Sequence, residues 1–525
     1  MWREPTTGAR GEFYRGTNDR ALSFVLCPMR ASVLLLLGCL LPPVIACDSL
    51  IDPPPPAEEI SDVLLRVNSS AFPKPPTRFR SGHVTPRAFD INQARTITKD
   101  GYRIQLPAGG QTPTPTIYED ALYVSGGFDS KQYYAFKIAS GDLQWALDLD
   151  DDGPSTAAAS KGVIIINTES CTIFALDART GRHLWSHWLG DPLLTTPTIA
   201  NGRVFTAYPA EGVFRRHTPG AKHLGVDPSH VMIALDLRTG RILWQKWIDS
   251  DIMSAPVASG DDLYVTTFSG NVYRFAQNDG AIRSVVRTRA TSAPVIAGGE
   301  VYFTRRADGM GGSAAREEIF RGHKETFEGE SYGRKAAPYL DSQVQSRSEY
   351  SIAAKEWDAA NGFAGGAPTA AKAGVAKDVI GQDSVSSLQA FQGSRMLHYK
   401  GLNINTMGDE IRATDAREGD RAWSLKLPGD LSRAGGFLAA PPAAAGGYIF
   451  VATLEGDVLQ IDPGDGSIHK RYSTGERLRF QPLIHRGSIF VTTQTGELIA
   501  IKTGDPTLTG WTTWGGDASR SGVVN

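Results

Sequence analysis

Cysteine is scarce in this chain, with four residues in 525, and Cys27, Cys39, Cys47 and Cys171 form neither an adjacent pair nor a CxxC. That excludes a thiol redox motif and a cysteine zinc knuckle. The ten histidines are scattered, and neither HExxH nor GxSxG occurs, so zinc hydrolysis and a serine nucleophile have no sequence basis. An excess of one charge is missing too. Lys plus Arg total 54 against 56 for Asp plus Glu, a formal net charge of -2, and no long basic run is interleaved with aromatics. Nothing here asks for nucleic acid as a partner. Long apolar runs are also absent: the stretch from Ala31 to Leu41 falls short of the roughly 18 residues that a membrane-spanning helix needs.

What the chain has in quantity is turn chemistry. Glycine at 56 and proline at 31 punctuate short runs rich in Val, Ile, Thr and Tyr, the composition of many short strands joined by tight turns. One phrase is written twice, ALDARTGRHLW from Ala175 to Trp185 and ALDLRTGRILW from Ala234 to Trp244. Each reads as a strand end, an Asp whose side chain can accept from turn amides, a Gly that supplies positive φ, and an outgoing strand with Trp. Asp177, Gly181, Trp185, Asp236, Gly240 and Trp244 are therefore expected to be architecture.

The N-terminal region reads as an address. From Met29, where translation is expected to start, a basic residue precedes the apolar run and then Val44-Ile45-Ala46-Cys47, the layout of a secretory signal over residues 1–46. The ending resembles the lipobox of bacterial lipoproteins, which implies cleavage before Cys47 and lipid attachment at that residue. With Cys47 acylated, Cys171 is left alone and no internal disulfide forms. The segments DPPPPAEE and FPKPPTRF suit an extended, Pro-rich tether over residues 47–100.

Taking the closing glycine as a marker, the signature returns at Gly141, Gly181, Gly240, Gly280, Gly419, Gly466 and Gly504. Weaker copies include Asp415, Gly419 and Trp423, and Asp462 with Gly466. A second marker, a hairpin of the form Thr/Ala-Pro, apolar, Gly, apolar, brings the count to eight units of about 40 residues, each holding four short strands. The expected fold is all-β, an eight-bladed β-propeller of four-stranded antiparallel blades over residues 101–510, with a long insertion in the fifth blade and a C-terminal tail at 511–525. The last unit lacks an outgoing strand, so Tyr102–Leu106 is expected to supply it, joining residue 104 to residue 500 and leaving no open sheet edge.

The repeat resembles the pyrroloquinoline-quinone-type propeller repeat, and the tail from Trp511 to Gly522 is similar to a segment at the ends of such propellers. Two insertions interrupt it, at 209–230 and about 306–393, the longer one an excursion that includes the remaining strands of the fifth blade, and strand parity sends both to one face, where binding loops on a rigid scaffold belong. The longer one holds the Ala/Gly-rich stretch AAKEWDAANGFAGGAPTAAKAGVAK, which reads as a partly disordered strap. It also carries Tyr332, Tyr339, Tyr350, Trp357 and Phe363, more aromatics than a plain linker needs, and so reads equally as a structured lid or contact surface. On that face also lie Cys171 and the acidic run Asp148, Asp150, Asp152, Gly153. The run has calcium-loop spacing, but Ala159 stands where the bidentate Glu would be, so a solvated turn is the favoured reading and metal binding the alternative.

Three functions fit. The favoured one is a non-catalytic scaffold similar to the BamB-like lipoproteins of outer-membrane β-barrel assembly, facing the periplasm, held to a membrane by its lipid and binding an envelope protein on the insertion-bearing face. The outer membrane is favoured over the inner, although Asp48 is a residue that favours inner-membrane retention in enterobacterial lipoproteins. The second is a PQQ-dependent dehydrogenase; that family carries an adjacent Cys-Cys pair and acidic calcium ligands, and this chain has no such pair, so neither PQQ nor calcium is expected. The third is a sensor or sugar-binding propeller.

Overall fold

Described in the computed structural model are residues 82–510, without 128–129, 169–171, 190–195, 210–229, 251, 253, 268–269, 289, 291, 307–315, 337–395 and 431–437. The lipid-attachment residue Cys47, the C-terminal tail, Cys171 and most of the two insertions lie outside that description. Eight antiparallel sheets follow one another along the chain, and their first strands abut in sequence order, so the sheets stand side by side as blades around an axis. Blade 2 shows the pattern: strand A, Ala158–Ser160, is innermost, followed outward by B, Val163–Asn167, C, Thr172–Asp177, and D, His183–Trp188. Strand B there is VIIIN and buried throughout. A blade is covered by a neighbour on each side, so a middle strand such as this one is apolar on both faces and does not alternate. Outer strands turn polar, as in Ile468–Ser473 of blade 7, where five of six residues are exposed, while the middle strands of blade 6, Leu402–Met407 (LNINTM) and Glu410–Asp415 (EIRATD), do alternate.

Ring closure is made by Gly101–Gln105, which pairs antiparallel with Glu497–Lys502 as the D strand of blade 8. The register places Ile104 opposite Leu498 and Tyr102 opposite Ala500, two residues from the expected pairing of 104 with 500. Tyr102, Ile104 and Leu106 are all buried. The structured part begins before residue 101, which corrects the tether boundary. Val84–Pro86 adds a fifth strand to blade 1, and Arg95–Thr98 adds one to blade 8, so one strap laces the two blades that meet at the seam. Arg87 to Asp148 at 2.8 Å and Arg95 to Ser140 O at 2.9 Å tie its middle to blade 1. A tether read as spacer on composition alone thus ends in a clasp.

The repeated phrase turns out to be the joint between blades. Asp177 accepts from the Thr180 amide at 2.9 Å and its hydroxyl at 2.7 Å, and Asp236 does the same with Thr239. These hydrogen bonds hold both carboxyls below the ordinary range. Gly181 and Gly240 lie at φ +69° and +67°, and a Cβ on either would come within 3 Å of an indole of the preceding blade, Trp145 or Trp185. Glycine is needed there for both conformation and room. Each indole also donates across the joint, Trp145 to Ala178 O at 3.1 Å, Trp185 to Leu237 O at 3.0 Å, Trp244 to Gln277 O at 2.9 Å and Trp423 to Pro463 O at 2.8 Å. The last two rest on Gly280 and Gly466. At the seam Tyr102 plays the part, lying on Gly141 and donating to Ile138 O at 3.0 Å.

Three joints depart from the pattern. Between blades 5 and 6, Gly419 meets Tyr332 instead of a tryptophan, and Asn403 donates to the Tyr332 hydroxyl at 2.7 Å. Between blades 7 and 8, Lys470 takes the aromatic's place and reaches Thr503 O at 3.4 Å. Between blades 4 and 5 the polarity is reversed. Ser284 stands where Trp belongs, and the turn of blade 5, closed by Phe327 N to His323 O at 2.9 Å, has Phe327 in the glycine position at φ +56°. The Phe327 ring is buried and meets Tyr264 edge-on, so the aromatic comes from the other side of the joint.

The excursion at about 306–393 holds the remaining strands of blade 5, as the sequence reading has it. Arg316–His323 and Gly329–Ala336 are strands C and D of blade 5, paired in the order of the other sheets. Their turn, HKETF, lacks both the Asp and the Gly that mark a unit. What remains beyond the repeat is 307–315 and 337–395. Tyr332 belongs to the scaffold, while Tyr339, Tyr350, Trp357 and Phe363 lie outside the described residues. The other insertion loses a residue at each end, because Pro209 pairs with His230.

Candidate functional site: the insertion-bearing face

Strand parity sorts the loops. With A, B, C and D antiparallel, the A–B and C–D turns share one face, and the B–C and D-to-A connections share the other. The connections 210–229 and 307–315 are of the B–C type and 337–395 is of the D-to-A type, so all three leave from the same face. The first is rooted in a paired strand, where the Tyr208 hydroxyl donates to Gln245 Oε1 at 2.5 Å and Tyr208 pairs with Val231.

The acidic run lies on this face, and the fold sends its carboxylates apart. Asp148 pairs with Arg87 at 2.8 Å, and Asp152 lies 3.7 Å from Lys131. Asp151 accepts from the Thr168 hydroxyl of the next blade's B–C turn, and the Asp150 amide donates to His83 O at 3.1 Å. Among the described residues no three His, Cys, Asp or Glu side chains gather at one point. The Asp148, Asp150 and Asp152 spacing is that of a stapled linker, since a strand end and a turn separate the three carboxylates.

The same staple recurs at Asp249, which the sequence reading passed over. It accepts from Asn271 Nδ2 at 3.0 Å, from the Thr267 hydroxyl at 3.2 Å and from the Tyr273 hydroxyl. Burial and the adjacent carboxylate push the Tyr273 phenol well up, so it stays a donor. The available signal was an Asp just past the D strand followed by a Thr at the next B–C turn, the arrangement of Asp151 and Thr168. Nearer the axis, hydroxyls and amides link blades in series: Gln481 to Pro442 O at 2.6 Å, Thr114 to Gln481 O at 2.9 Å, and Thr156 to Thr114 O at 2.9 Å. At the rim between blades 6 and 7, Leu425, Leu427, Pro428 and Ile468 line a shallow groove beside Glu455 and the Asp457–Arg471 pair. The described part of the face is thus mixed in polarity, with Asp148, Asp151, Asp152 and Asp249 each set beside a cation or a donor.

A family model described as outer membrane protein assembly factor BamB matches residues 129–316 and 408–521, more than half of the chain. Among curated relatives, BamB of Nitrosomonas eutropha is 23% identical over 157 residues, 27% of this chain and 34% of that protein. A quinohemoprotein alcohol dehydrogenase, ADH-IIG of Pseudomonas putida, is 24% identical over 190 residues, 33% of this chain and 24% of that enzyme. The chain thus spans about a third or less of the curated relatives it matches. Among solved structures, BamB of Moraxella catarrhalis gives a TM-score of 0.49 at 15% identity, covering 78% of this chain and all of that one. The computationally designed Ika8 protein gives 0.50 at 10% identity, covering 76% of this chain and 98% of its own, a likeness of fold alone. Eight four-stranded blades, together with a family match across more than half the residues, place this chain in the BamB family of propellers.

Proposed function

We propose that this protein is a non-catalytic scaffold of the cell envelope, tethered by lipid at Cys47 and facing the periplasm, more readily from the outer membrane than from the inner, that binds a protein partner of outer-membrane assembly through its insertion-bearing face. The observation that carries the reading is that the connections 210–229, 307–315 and 337–395, which interrupt the repeat between described strands, all leave from one face of the ring. A scaffold conserves its joints for stiffness and varies the loops it presents. The family's printed description supports the assembly role, and the lipobox-like ending at Cys47 supports the anchor.

A photo-reactive residue placed at His217 or Trp357 is expected to capture an outer-membrane assembly protein in cells, while one at Asp420, in the C–D turn of the opposite face, captures none. Equal capture from both positions, or none from either, sinks the proposal. The scaffold is also proposed to work without quinone or metal. The residues do not fit that pair, since no two cysteines are adjacent and the acidic run is dispersed onto Arg87, Thr168 and Lys131. Addition of PQQ with Ca²⁺ is expected to leave the melting temperature unchanged; a rise that saturates with ligand would place a site in the ring.

A further inference from the structure

Among the described residues the large hydrophobic side chains left exposed are Ile97, Trp188 and Ile468. Trp188 differs from the other two in what lies beside it. It ends the outer strand of blade 2 on the insertion-bearing face, two residues beyond Ser186 and on the same side of the sheet. Ser186 is where the described chain begins: the Gly82 amide donates to its Oγ at 2.7 Å, and that hydroxyl donates back to Gly82 O at 3.1 Å. The seat is tight, because a Cβ on Gly82 would sit 2.6 Å from the Phe174 ring and 3.0 Å from an Asp150 carboxylate oxygen.

We infer that Trp188 is the dock for the Pro-rich segment Phe72–Phe79, with Phe79 on the indole, so that the tether is fixed to the rim of the insertion-bearing face before it runs free. The distances close. Ser186 to Trp188 is about 7 Å along a strand, and the three residues from Phe79 to Gly82 reach up to about 10 Å. Direction agrees as well, since Val84–Pro86 pairs antiparallel with the outer strand of blade 1, Val84 opposite Leu149 at the end from which the D-to-A linker leaves. The chain before Gly82 therefore emerges on the side where Trp188 lies. The chemistry is complementary: the segment FPKPPTRF, followed by Arg80, brings rings and a guanidinium that stack on an indole, and its prolines lose little freedom on binding.

Hydrogen exchange of the full-length lipoprotein in detergent tests the dock. Amides of residues 77–81 are expected to exchange at least tenfold more slowly than in an unstructured chain. Trp188→Ala is expected to abolish that protection while leaving the Gly82 amide, held by Ser186, and Val163–Asn167 of the same blade protected. Phe79→Ala, outside the propeller and harmless to its folding, is expected to do the same, and Trp188→Phe to retain most of the protection. Free-chain exchange over 77–81 in the unaltered protein, or protection indifferent to Phe79→Ala, overturns the inference. So does a dimer in sedimentation that Trp188→Ala dissolves while 77–81 stay unprotected, because a second copy would then be the occupant.

Discussion

The joint between blades 4 and 5 is expected to fail when either of its two unusual residues is changed alone and to recover when both are changed together. Ser284→Trp drives an indole into space that the Phe327 ring fills, an overpacking that costs roughly 1–3 kcal/mol. Phe327→Gly relieves the positive φ, a gain of about 1 kcal/mol, but removes a buried ring, which costs roughly 3–5 kcal/mol. The double variant recreates the joint of blades 2 and 3, with Trp on one side and Gly on the other. It is expected within about 1 kcal/mol of the parent, so the two changes couple by more than about 2 kcal/mol. Urea unfolding of the four proteins measures the cycle. Additive effects would mean that Phe327 merely tolerates its position and does not stand in for the absent tryptophan.

Ile104→Asp is expected to open the ring. Ile104 is fully buried in the closing strand and packs in one cluster with Ile117, Phe136, Phe490 and Leu498. Loss of the aliphatic side chain and burial of a carboxylate with no cation in that cluster together cost more than about 4 kcal/mol. An unpaired strand Glu497–Lys502 then presents its edge, so the variant is expected to elute as oligomers as well as to unfold at lower urea. Ile97→Asp is the matched control. It lies on the adjoining strand of the strap, the added fifth strand of blade 8, but is 67% exposed and should change stability by less than about 0.5 kcal/mol. An Ile104→Asp protein that stays monomeric and within about 1 kcal/mol of the parent would show that the ring closes by other contacts.

Much of the fold was legible because each blade solves the same local problem with the same residues. Asp177 and Gly181 are required by a turn, and Trp185 by the gap to the next glycine, so the phrase recurs wherever the joint does. Legibility ended where the solution was inverted. HKETF carries neither marker, and nothing local to Phe327 reveals that its ring compensates for Ser284, 43 positions earlier. The strap at 82–98 was hidden for a related reason: a short fifth strand needs only an edge to pair with, and that edge belongs to residues 143–149. At the candidate site, alternate-residue spacing suggested that Asp148, Asp150 and Asp152 could converge, whereas convergence depends on the path of the linker. Asp249 carried no motif, because its donors come from another blade.

By itself the sequence determined the number of blades, the sheet class, the side on which the insertions leave and the need for an N-terminal strand at the seam. All of these follow from short-range periodicity and strand parity. The tertiary structure alone decided which aromatic serves each joint, where the tether becomes a clasp, and which partner each linker carboxylate accepts from. Those contacts join residues tens to hundreds of positions apart, such as Gly82 with Ser186 and Arg103 with Glu497. Their geometry is set by the packing of neighbouring blades, which no window of the chain contains.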